Sequence, residues 1–236
     1  MYFLVALIPI ALIIAIIILA FFVLTSKEKK GDHNDGGGKR YGGLQHIDFF
    51  QSKQTRAGEE GEAYVNRHLR VLLRNDEYLL ANLLIPLKNG NKCEIDHVII
   101  SRKGIFCVET KNWVGHIVGT EDGDVWYQQY DDPLRPTKEV KNPIKQNRAH
   151  CEILEKTLNF KYVVRTAIIF LRTEDITGTY TSFVYSLSEF KEHFRNLPEN
   201  KLTVEEINAA FAVLSKFVAT QEQLREYKKS MSQKNN

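Results

Sequence analysis

Asp96 sits inside the run "EIDHVII", and 13 positions later Glu109 and Lys111 close the run "GIFCVETK". Both runs read as strands, rich in apolar and β-branched residues and joined by the short turn Arg102-Lys103-Gly104. Strand side chains alternate between faces, so Glu109 and Lys111 share one face, while Asp96 shares its own with Glu94, Val98 and Ile100. Adjacent strands with a tight turn would bring two carboxylates and a lysine to one patch. That set suits chemistry at a phosphodiester. Two carboxylates hold Mg²⁺, a hard ion that prefers oxygen and keeps some of its waters. The ion polarises a phosphoryl oxygen and helps generate hydroxide, and lysine adds positive charge where the transition state gathers negative charge.

Each of these charges has a plainer reading. Asp96 could be an edge-strand residue facing water, and Glu109 with Lys111 an ordinary ion pair at a strand end. Two further polar residues fall on apolar stripes. Glu62 precedes Val65 and Leu69 at helical spacing, on the core side of its helix; a first-turn glutamate is also favoured by the helix dipole. Gln146 falls in the first turn of a helix opening at Pro143 and heads a face continued by Ala149 and Ile153. A buried amide there could equally tether a loop.

The elements that must position these residues follow from periodicity and breakers. Residues 58–74 form an amphipathic helix with Val65, Leu69 and Leu72 on its stripe. Strands are expected over 77–87, 92–101 and 104–111, then a small hairpin pairing 116–118 with 125–128. Asn142 and Pro143 are an N-cap and first helical residue, opening a helix to about Leu158. Next come a core strand over 162–170, a short strand near 182–185, a small helix near 188–194 and one terminal helix from Thr203 to about Tyr227. The tail from Lys228 is expected to fray, and residues 231–236 are set apart from the domain. The order gives an α/β fold, a mixed sheet flanked by helices, occupying 44–230.

The chain has 236 residues, 43% of them hydrophobic, and a formal net charge of +3. A charge that small supports no claim of nucleic-acid binding except through local patches. Three cysteines without CxxC spacing point away from a disulfide framework and towards a reducing compartment. Residues 2–24 carry no charge, and at ~1.5 Å per residue they span about 34 Å as a helix, enough for a ~30 Å hydrocarbon core. The absence of a basic segment before the run, and of a small-residue cleavage site after it, favours a membrane anchor over a cleaved signal. Lys27, Lys29 and Lys30 follow directly, which predicts a single pass through the cell membrane with the N-terminus outside and the remainder cytoplasmic. Residues 25–43 are polar and glycine-rich, as in a flexible tether.

The stretches "GEEGEAYV", "CEIDHVIISRKGIFCVETKNWVGHIVG" and "KNPIKQNRAH" together resemble the nuclease-related domain (NERD) family, part of the PD-(D/E)xK nuclease superfamily, over roughly residues 55–160. The resemblance implies a restriction-endonuclease-like fold. It also implies Asp96 and Glu109 as metal-binding carboxylates, Lys111 as catalytic lysine, Glu62 as a helix-borne acid near the metal and Gln146 as an accessory glutamine. Thr110 replaces a usual valine at a position facing away from the site. The implied cofactor is Mg²⁺, with Mn²⁺ as substitute, and the implied partner is nucleic acid, DNA ahead of RNA.

Lys138, Lys141, Lys145 and Arg148 gather around the start of the Gln146 helix, and Lys88, Lys92 and Lys103 lie in turns. Such a patch could bind the phosphate backbone or simply be solvated surface. Trp113 could stack on an unpaired base or pack over the sheet end. Cys93 and His97 share a face opposite Asp96 and lack third and fourth ligands at zinc spacing. No GxSxG, Walker or dinucleotide loop occurs. The leading expectation is a membrane-tethered, metal-dependent nuclease. The other, from a different class, is a membrane-anchored nucleic-acid-binding or scaffold protein with a structural site.

Overall fold

Helix α1 (Leu44–Arg70) opens the part of the chain that the computed structural model describes, residues 44–178 and 183–234. The expected membrane span over 2–24 and the tether over 25–43 lie outside the described residues. No helix among the described residues is long and apolar enough to cross a membrane. After α1 come β1 (Tyr78–Pro86), β2 (Lys92–Ser101), β3 (Gly104–Val118), β4 (Val125–Gln129) and β5 (Lys138–Lys141). Then follow α2 (Pro143–Thr157), β6 (Val164–Thr177), β7 (Val184–Ser186), α3 (Leu187–Asn196), α4 (Val204–Leu214), a 3₁₀ turn (Ser215–Phe217) and α5 (Gln221–Lys234).

The fold is mixed α/β. Strands β1 to β5 form an antiparallel series, and β6 joins β3 in parallel and carries β7 at its outer edge. Both faces of the sheet are covered, which is why β2 and β3 read as continuous apolar runs. On one face Val98, Ile100, Ile105 and Cys107 pack with Cys151 and Leu154 of α2 and Ile207, Ala210 and Leu214 of α4. On the other, Ile99, Phe106, Val108 and Ile169 meet Val65 and Leu69 of α1 and Phe190 and Phe194 of α3. A third cluster joins Ile117, Trp126, Ile144 and Phe170 at the far end of β3.

Strand β3 runs for 15 residues and is the axis of the sheet. Along one edge it pairs with β6 from Ile105 to Val118. Along the other it pairs first with β2, through Val108 opposite His97, and then with β4 from His116. Between those two stretches the sheet forks. The expected 104–111 strand and the first arm of the expected hairpin are therefore one element, carried across the fork by its pairing to β6.

Other elements differ from expectation too: the core strand expected over 162–170 is β6, which runs on to Thr177 beside β3, and the helix expected from residue 58 begins at Leu44. Helix α1 stops at Arg70, and Leu72 and Leu73 belong to a turn held by N–H bonds to Leu69 and Arg70 carbonyls. The polar segment "KEVK" is a strand, β5, because it needs only an edge pairing with β4. The single terminal helix is two helices, since the Val218 backbone bridges to Leu83 and the Ala219 N–H donates to Asn82 O. Thr220 then restarts the helix with reciprocal bonds to Gln223, at 2.9 and 3.2 Å. Helix α5 continues to Lys234 rather than fraying from Lys228.

Candidate active site at the fork of the sheet

The site occupies the fork. By extension of the β2–β3 register, Asp96 stands opposite Glu109, but β2 has begun to diverge there. The Asp96 side chain fills the gap: its Oδ2 accepts the Thr110 N–H at 2.9 Å, doing what a backbone carbonyl of β2 would otherwise do. A carboxylate is thus held at the edge of a core, with its other oxygen left for a ligand.

Glu109 is 4% exposed, and its Oε1 accepts from Lys111 Nζ at 2.6 Å and Gln146 Nε2 at 2.9 Å. Lys111 Nζ also donates to Gln146 Oε1 at 3.1 Å. The three side chains close a ring of hydrogen bonds between β3 and α2. His150, one turn beyond Gln146, places Nδ1 at 3.4 Å from Glu109 Oε2, and that buried nitrogen has no hydrogen-bond partner among the described residues.

Glu62 arrives from α1. Gly61 lies against β3, where a Cβ would sit 3.0 Å from Asn112 Cβ, and Asn112 Nδ2 donates to Ala57 O at 2.7 Å. The helix is therefore clamped to β3 one residue past Lys111, and Glu62 is carried into the cleft. The cleft holds about 400 Å³ and is lined by Glu62, Glu94, Asp96, Glu109, Gln146 and Lys228, among others.

The acids are electrostatically differentiated. Burial, then the charges of Glu109 and Glu62, push the Asp96 carboxyl well above its ordinary value. Burial likewise raises Glu62 to about 7, with Lys228 opposing and Glu94 and Glu109 reinforcing. Burial would raise Glu109 too, but Lys111 and His150 hold it down to about 2. Glu62, Asp96 and Glu109 line one cleft and offer only oxygen, the donor type hard divalent cations take. The group of three among the described residues whose ligand atoms all lie within 4.8 Å of one another is instead His116, Asp131 and Glu174, at the far end of β3. By donor type, the cleft acids are ones that could take Mg²⁺ or Mn²⁺.

The five residues expected on the site, Glu62, Asp96, Glu109, Lys111 and Gln146, all lie at the fork. The helical face assigned to Gln146 needs correction. Ala149 is exposed, and the buried face of α2 is Ile144, Asn147, Cys151 and Leu154, so Gln146 and His150 lie on its flank. The deep position is Asn147. Its Nδ2 donates to Cys107 O (2.9 Å), Ala167 O (3.1 Å) and Thr166 Oγ1 (2.7 Å), and its Oδ1 accepts from Cys107 Sγ at 3.0 Å.

The basic residues divide. Lys103 is 7% exposed, and its ammonium is bound to the Arg195 and Leu197 carbonyls at 3.0 and 2.7 Å, capping α3. It serves a helix end, because the turn that looked exposed is covered by that helix. Trp113 packs edge-on against Phe170 with the Lys111 ammonium 5.4 Å from its ring, a packing position. Lys138 and Lys141 are exposed on β5, Lys145 pairs with Asp124 at 2.7 Å, and Arg148 pairs with Glu121. Cys93 lines the cleft beside Asp96 instead of facing away, since this part of β2 pairs only with β1 and twists from the sheet. His97 is buried on the α1 side, and burial lowers it to about 4.

Sequence reading passed over Glu94, His150, Tyr227 and Lys228. Glu94 shares the alternation of Asp96, and His150 the four-residue spacing from Gln146, so both had a signal. Tyr227 and Lys228 come from α5, far along the chain from the strands they meet: the Tyr227 hydroxyl donates to Lys92 O at 3.2 Å across a separation of 135 residues. Lys228 Nζ lies 3.5 Å from Glu94 and 3.7 Å from Glu59.

Residues 57–171 match the family model of the nuclease-related domain. An uncharacterized protein of Bacillus anthracis is 36% identical over 98 residues, which cover 42% of this chain and 45% of that protein. The chain thus spans less than half the length of this relative. No solved structure matches. The fork, its acids and the Gln146 helix all fall within the stretch that is similar to the nuclease-related domain.

Proposed function

We propose that this chain is a membrane-anchored, metal-dependent phosphodiesterase that cleaves nucleic acid on the cytoplasmic side of the cell membrane. The observation that carries the reading is the meeting of Asp96, Glu109, Glu62 and Lys111 at the fork of β2 and β3, inside the nuclease-related domain. Its likeness to the PD-(D/E)xK pattern extends the reading to a restriction-endonuclease-like site. The uncharged run over 2–24 and the lysines after it support the anchor and its orientation.

Asp96 and Glu109, with Glu62, would hold Mg²⁺ or Mn²⁺; a bound ion supplies charge at the phosphoryl oxygen and a more acidic water. The protein's own groups do the rest. Lys111 spends two of its three N–H donors on Glu109 and Gln146, which leaves one for a phosphate oxygen or an attacking water. Gln146 and Lys111 fix the Glu109 carboxylate, and Thr110 fixes that of Asp96, so neither must reorganise as charge develops. Lys138 and Lys141, exposed on β5, offer backbone contacts to a substrate strand.

One observation favours a second reading, a nucleic-acid-binding or scaffold protein. The Lys111–Glu109–Gln146 ring is closed and partly buried, as in a structural ion pair. The two readings part in one experiment: full-length protein with labelled single-stranded DNA, duplex DNA and RNA, in Mg²⁺, Mn²⁺ or EDTA. The nuclease reading expects products only with a divalent ion. Retention of substrate without products in either metal would favour the second.

A further inference from the structure

A second cavity lies on the other side of α2, against the outer edge of β6. Strand β7 pairs with β6 only from Ile168 to Phe170, so the segment from Val164 to Ala167 has β3 on one side and no strand on the other among the described residues. A slot of about 530 Å³ opens there, walled by helices from both faces of the sheet. Gln146 and His150 of α2 face the fork, and Arg148 between them lines the slot.

The floor of the slot carries backbone polarity. Ile168 N–H donates to Phe183 O at 2.8 Å, which sets the side to which that residue's backbone groups point. Alternate strand residues point the same way, so Thr166 presents its N–H and C=O to the slot. Val164 N–H, two residues earlier, is already taken by Glu155 Oε1 at 2.9 Å. An adjacent donor and acceptor at an open strand edge is the pairing edge that a planar heterocycle can satisfy.

The walls are aromatic and the rim is cationic. Phe106, Phe183 and Tyr185 line the slot. Arg165 lies 5.6 Å from the Phe106 ring centre, and Arg148 5.4 Å from that of Phe183. Arg148 also pairs with Glu121, whereas Arg165 has no carboxylate partner among the described residues. The lining carboxylate, Glu152, forms an exposed pair with Lys156 one helical turn away, at 3.8 Å. Aromatic and guanidinium planes stack on bases, and guanidinium also binds phosphate in a forked pair. The volume falls in the range of small-ligand sites, ~300–1,000 Å³.

We infer that the slot at the open edge of β6 binds a nucleotide, its base against Thr166 and the aromatic walls and its phosphate on Arg165. The ligand chemistry is a nucleobase joined to a phosphate, either as a free nucleotide or as one unit of a strand. This does not depend on the fork being catalytic, because no metal or cleavage is involved.

The test is calorimetric titration of the full-length chain with adenosine 5′-monophosphate in EDTA, beside adenosine and inorganic phosphate. Saturable binding of the monophosphate is expected, with adenosine, phosphate and Arg165→Ala each weaker by about tenfold or more. Phe183→Leu, which removes one aromatic plane, should weaken it too, and thermal unfolding of both variants checks that they fold. Asp96→Ala should bind as the wild type does. Displacement of the monophosphate by a short single-stranded oligonucleotide would assign the slot to a strand, and lack of displacement to a free nucleotide; both sustain the inference. It is overturned by no saturation up to about 10 mM. It is equally overturned by unchanged affinity in folded Arg165→Ala, or by loss of binding in Asp96→Ala, which would place the ligand in the other cleft. Protection of the β6 edge by an extended peptide, with the monophosphate inert, would make it a peptide-docking edge instead.

Discussion

Asn147 has no place in the proposed chemistry, yet it holds the chemistry's supports in register. Its amide ties α2 to β3 and β6 at once, through Cys107, Ala167 and Thr166. Asn147→Ala strands at least one buried carbonyl, and the expected cost is about 2–3 kcal/mol. Urea unfolding should show the midpoint falling, and cleavage should fall with it, because Gln146 is the neighbouring residue. Asp96, Glu109 and Lys111 stood out in the sequence as charges in apolar runs, but each alone read equally well as an edge residue or an ordinary ion pair, and only two adjacent strands joined by a tight turn put them together. Asn147 did not stand out, since an asparagine in a helix looks the same whether it faces water or three acceptors. Lys103 misled for the opposite reason: a lysine in a turn looks solvated until a helix end is known to cover it.

At the scale of elements, the site depends on how closely α1 approaches β3. Gly61 permits that approach, with the position of a Cβ only 3.0 Å from Asn112 Cβ and 3.2 Å from Leu171 Cδ1. Gly61→Val should cost about 1–3 kcal/mol through overpacking. It should also lower cleavage by more than the loss of folded protein explains, since Glu62 moves with the helix. Comparison of single-turnover rates at a denaturant-free temperature well below unfolding separates the two effects. Strand and helix starts were readable where a local signal exists, as at Asn142-Pro143, whose side chain accepts from Ile144 N at 2.8 Å. The length of β3, the strand "KEVK" and the break at Val218 were not readable, because each is decided by a partner strand distant in sequence.

Across the whole molecule, β3 links the fork to a charged cluster at its far end. There His116 Nε2 lies 2.8 Å from Asp131 Oδ1, and Nδ1 pairs with Asp175. Bonds to Asp131 and then Asp175 raise the imidazole from 6.5 to about 9. A raised folded-state value means that folding takes up a proton between those limits. The contribution is therefore complete below pH 6.5 and lost as pH rises through about 9. Urea midpoints measured across that window should decline in the wild type, and the part of the decline due to this group should vanish in His116→Gln. The cluster joins the end of β3, the segment before β5 and the end of β6, so the same titration should loosen amide-exchange protection at that end first. The sequence carried the acids and the histidine but not their convergence, which depends on the sheet closing around β3.

The central claim is that the carboxylates and lysine at the fork form a phosphodiesterase centre. Its most direct test is the single-turnover cleavage rate in Mg²⁺ of full-length Asp96→Ala and Lys111→Ala against the wild type, each confirmed folded by its urea midpoint. The expected result is a fall of about 100-fold or more in both. Wild-type rates in either folded variant would contradict it.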